Sequence, residues 1–84
     1  MNQKAIEQLA GELFKSLLGS GLDEAETVAA LAIAVTMRLA YNAQTMDEVI
    51  AKLEALNPIF LKYARQNYAA FAAAQAAKEV QDHA

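Results

Sequence analysis

Between Thr27 and Met37 the chain runs eleven residues without a charge, and the helix this segment would form is apolar on almost every side. Val28, Leu31, Val35 and Leu39 make one stripe at helical spacing. Ile33, Met37 and Tyr41, with Ala30 and Ala34, make a second stripe on a different side. A helix that is apolar all round is one surrounded by other elements, so the pattern predicts a helical bundle with this segment at its centre and with Leu31 and Val35 in the core. The run is too short to cross a bilayer, which takes ~20 apolar residues.

The flanking segments carry the same period. Ile6, Leu9, Leu13 and Leu17 recur at helical spacing, joined by Phe14 and Leu18, and predict a first helix over 2–18 that closes at Gly19-Ser20-Gly21. Asp23 followed by Glu26 is a capping-box arrangement, and it opens a second helix over 23–43. Thr45 and Glu48 repeat the device and open a third over 46–56, lined by Met46, Val49, Ile50, Leu53 and Leu56. Asn57-Pro58 reads as a cap and first position, because proline inside a helix costs ~3 kcal/mol. A fourth helix over 58–80 follows. Its first half is bulky and its second nearly pure alanine, with seven alanines among residues 69–77. The expectation is therefore a single all-α domain over 1–84, a small bundle of about four helices, with the end of the last helix projecting or frayed.

Apolar residues make up 56% of the 84, but twenty are alanine, which adds little buried area. A core that small favours help from self-association. The chain has no cysteine, so disulfides and zinc–thiolate sites are excluded, and a reducing, cytoplasmic compartment is the expectation. The polar Met1–Lys4 segment lacks the look of a secretory signal. The net charge is −3 and neither half is basic, which argues against a surface that tracks phosphates.

Catalytic chemistry finds no constellation. The serines are Ser16 and Ser20, and the single histidine, His83, sits beside the C-terminus with no base or orienting partner in its pattern. The Glu-x-x-His pair of bundle metal sites is missing, and Glu7, Glu12, Glu48 and Glu54 fall on polar faces, so no metal and no cofactor is expected. Asp23, Glu24 and Glu26 would repel a phosphate at the helix that follows the glycines. The reading is a non-enzyme.

Segment 45–66 has the outline of a helix-turn-helix with Lys62, Arg65 and Gln66 as base readers. Ile59, Phe60, Leu61 and Tyr63 crowd that second helix, however, and no glycine sits at the turn. A second reading of the same region is a protein-binding surface made by Tyr63, Arg65, Gln66, Tyr68 and Phe71, since Tyr and Arg are enriched at interface hot spots. Phe60, Ala64 and Phe71 also fit a core stripe. The leading expectation is a small non-catalytic protein, accessory, adaptor or inhibitor in type, that binds a partner protein and forms a homodimer. Accessory proteins of phages, plasmids and bacteria are often of this size. The alternative is a DNA-binding regulator using 45–66. Neither a membrane nor, in the leading reading, nucleic acid is the expected partner.

Overall fold

A computed structural model of the chain describes residues 1–82 and holds three helices in two compact units, residues 1–41 and 42 onward. The first unit contains α1 (Gln3–Leu18) and α2 (Glu24–Tyr41). The second contains α3 (Met46–Asp82). The all-α class is as the sequence predicts; the helix count is three and not four. His83 lies outside the described residues.

Side chains that can hydrogen-bond the first free amides set where each helix starts. The Asn2 side chain accepts from the Ala5 amide at 3.1 Å and opens α1. At α2 the capping box is reciprocal: the Glu26 amide donates to Asp23 Oδ1 at 2.8 Å, and the Asp23 amide donates to Glu26 Oε1 at 3.1 Å. Between α1 and α2 the chain turns through Gly21, which has φ +80°, a conformation that a side chain would strain. Gly19 caps α1 at φ −85°, so the left-handed residue of this turn is the second glycine and not the first. The Ser20 hydroxyl donates to the Leu17 carbonyl at 2.8 Å and accepts from the Leu22 amide at 3.2 Å, fixing the loop locally.

At α3 the Glu48 amide donates to Thr45 Oγ1 at 3.2 Å, and the Glu48 carboxylate reaches back to the preceding amides, accepting from Gln44 at 2.9 Å with Thr45 a weaker partner. The same carboxylate meets Lys52 Nζ at 3.6 Å one turn on. The Gln44 hydrogen bond, then the Lys52 charge, hold the Glu48 carboxyl below its ordinary value of 4.5. A folded pKa below the unfolded one gives stability that is present above 4.5 and is lost as pH falls through the lower value. Thermal melts of Glu48→Gln are therefore expected to lose less stability than the parent chain between about pH 5 and pH 3. Parallel loss in the two proteins would show that the Gln44 contact carries no weight.

The break expected at Asn57-Pro58 is absent: α3 runs through Pro58 as one helix of 37 residues, ~55 Å long. The proline forfeits the hydrogen bond to the Glu54 carbonyl, at a cost of ~3 kcal/mol. Stopping the helix there would release up to four carbonyls and four amides. No glycine lies in 46–82, and among the described residues only Gly21 takes positive φ, so the chain at 55–57 does not make the left-handed turn that closes a C-terminus. Residues 45–66 consequently hold no turn within the helix, and the helix-turn-helix outline is not realised.

Burial is scant. Val49, 7% exposed, is the one buried residue among those described; Leu17, Thr27, Val35, Leu39, Ala43, Glu48 and Leu56 are half-buried. Leu31, expected in the core, is 38% exposed, and the second stripe of α2 lies open at Ile33, Met37 and Tyr41. The outcome follows from the number of layers. Within its own unit α2 has one helical neighbour, α1, which can cover one of its two stripes.

Candidate interaction surface

All five residues singled out for partner binding lie on α3 and all are exposed: Tyr63, Arg65, Gln66, Tyr68 and Phe71. They fall within nine positions, so the helix brings them within ~12 Å along its axis. A helix turns ~100° per residue, however, which distributes them around its circumference. Measured from the direction of Val49, Tyr63 and Phe71 stand about 40° to either side, Tyr68 and Gln66 about 100° to opposite sides, and Arg65 near the back. Tyr63 and Phe71 can share one contact surface. Gln66 and Tyr68 flank it, and Arg65 is turned away. Lys62 Nζ lies 5.7 Å from the Tyr63 ring centroid, within cation–π distance.

The face centred on Val49 repeats in sevens along the whole of α3. Met46, Leu53, Phe60, Asn67 and Ala74 hold one position of the repeat. Val49, Leu56, Tyr63, Ala70 and Ala77 hold the position three residues later. A 3–4 alternation is the spacing used by helices that pack along their length against another helix. Along this seam Val49 is buried and Leu56 half-buried, while Leu53 is 36% exposed, Phe60 56% and Tyr63 43%, and Ala70, Ala74 and Ala77 are all exposed. The seam changes from large side chains to small ones as it runs toward the C-terminus, and Asn67 is its single amide.

The first unit offers one notable concavity, a cleft of ≈ 430 Å³ where the end of α1 meets the start of α2. Phe14, Leu17, Leu18, Leu22, Glu24, Thr27 and Val28 line it. Among the described residues no three His, Cys, Asp or Glu side chains gather closely enough to hold a metal ion, and no helix is long and apolar enough to cross a membrane.

No protein-family model, curated protein or solved structure matches the chain. The functional reading therefore rests on the surface itself. Sequence reasoning placed Asn67 beside Tyr63 in a binding cluster but missed Leu53, Leu56 and the late alanines as members of the same surface. The signal was present in the seven-residue repeat, and it spans the proline at which the helix was expected to end.

Proposed function

We propose that this chain is a non-catalytic binding protein whose working element is α3 and whose action is association with another protein surface, first of all a second copy of itself. One observation carries the reading. Among the described residues only Val49 is buried, while α3 keeps a continuous seam of large and small apolar side chains in water over most of its length. Exposed apolar surface that is contiguous and ordered along one helix marks an interaction site. Phe60 and Tyr63 supply the aromatic anchors such a surface needs, and the alanines let a partner backbone approach closely. The absence of cysteine accords with action in a reducing compartment such as the cytoplasm.

Sedimentation equilibrium of the full chain checks the reading. A dimer is expected, with the monomer fraction growing on dilution through the micromolar range. A chain that stays strictly monomeric at about 100 µM, well above the dissociation constant expected of a small interface, would overturn it.

A further inference from the structure

We infer that two copies of α3 pair antiparallel, in the register that sets Phe60 against the partner's Ala70 and Tyr63 against the partner's Asn67. The inference rests on the association proposed above and adds its orientation and register. Size decides orientation. In a parallel pair each seam position meets itself, so Leu53, Leu56, Phe60 and Tyr63 would crowd one end while Ala70, Ala74 and Ala77 faced one another at the other. Helix axes sit 8–10 Å apart according to the side chains between them, so a parallel pair would splay at one end or leave voids at the other. Antiparallel pairing removes the conflict.

In antiparallel pairs the first seam position of one helix meets the second of its partner. Four layers then form on each side of the two-fold axis: Leu53 with the partner's Ala77, Leu56 with the partner's Ala74, Phe60 with the partner's Ala70, and Tyr63 with the partner's Asn67. Three of the four are large against small, and the fourth sets a phenol beside an amide that can hydrogen-bond it. A single polar residue at a seam position is the device that selects register, at some cost in stability. The positions flanking the seam over this stretch carry no charge: Asn57, Ala64 and Phe71 on one side, Ile59, Gln66 and Ala73 on the other. No like charges oppose one another, and opposite ends of the two helix dipoles lie together.

The area is sufficient. The contact runs over 25 residues, ~37 Å of helix. Phe60 and Tyr63 keep 56% and 43% of their surfaces in water. With Leu53 and the alanines the two copies bury on the order of 1,200 Å², the lower limit of a stable specific interface. Leu56 is half-buried in its own chain, and its layer adds least.

Single cysteines test this in the full chain, which has none of its own. In the proposed register two copies of residue 77 stand ~36 Å apart along the axis, far beyond the ~7 Å Cα separation that a disulfide allows. Oxidised Ala77→Cys is expected to give no cross-linked dimer, and an equimolar mixture of Ala77→Cys and Leu53→Cys chains is expected to give the cross-linked heterodimer. Self-cross-linking of Ala77→Cys would overturn the antiparallel pairing and leave the binding reading intact. A monomeric parent chain would overturn both. Ala70→Glu, at an exposed helical position, is expected to keep its circular dichroism and to weaken dimerisation ~100-fold by placing a carboxylate against Phe60; an unchanged dimer would exclude this register.

Discussion

Val49→Asp is expected to abolish the cooperative thermal transition of this protein. Val49 is 7% exposed, the one buried residue among those described. The one cation within a turn, Lys52, is exposed and already meets Glu48, so a carboxylate buried at 49 would go largely unpaired, and an unpaired buried charge is destabilising by several kcal/mol. A chain of 84 residues has ~4–12 kcal/mol in total, and one with so little buried surface sits near the lower end. Truncation to alanine separates charge from volume: Val49→Ala removes two buried carbons and should cost about 2 kcal/mol while leaving a measurable transition. The same aspartate at Leu31, which is 38% exposed, is expected to do much less. Circular dichroism melts of the three variants check this order, and a Val49→Asp protein with the parent midpoint would show that the position does not anchor the fold.

Ending the chain after Asn67 is expected to abolish the proposed self-association. The truncation leaves α1, α2 and the first 22 residues of α3, but removes Ala70, Ala74 and Ala77, the small halves of three of the four kinds of layer. It also removes Tyr68 and Phe71. The expected weakening is at least ~100-fold, equivalent to about 2.7 kcal/mol. Sedimentation equilibrium on the truncated chain measures it, with circular dichroism confirming that the remaining helices persist. A dimer of undiminished affinity would transfer the interface to α1 or α2, where Leu9, Ile33 and Met37 are also exposed.

The caps were the most legible part of the fold. Asp23–Glu26 and Thr45–Glu48 each announce a helix start through side chains that reach only three or four residues, so the sequence alone contains the whole interaction. Burial was less legible, because an apolar stripe shows that a helix wants cover and not whether its own chain supplies it. Leu31 illustrates the difference: its spacing is that of a core residue, yet a two-helix unit leaves it open. The seam on α3 was hidden for a geometric reason. With a break placed at Pro58, the angular phase of Phe60 and Tyr63 is free relative to Val49 and Leu56, and no seven-residue repeat can be followed across the gap. Once the helix is continuous, the phase carries through and Asn67 falls among apolar residues.

Pro58 also draws a waterline along α3. Having no amide, it leaves the Glu54 carbonyl without its helical partner, and that oxygen must find its hydrogen bond in solvent. Nine steps of ~100° carry the chain from Val49 to Pro58, about half-way round the helix on the side opposite the seam, where Ala51, Arg65, Ala72 and Glu79 recur at the same seven-residue interval. Any neighbour packed over this line would strand the carbonyl at about 1–3 kcal/mol. At this level the back of α3 is thus kept wet by a backbone defect as well as by the charge of Arg65 beside it, which leaves the opposite side the more favourable one for packing.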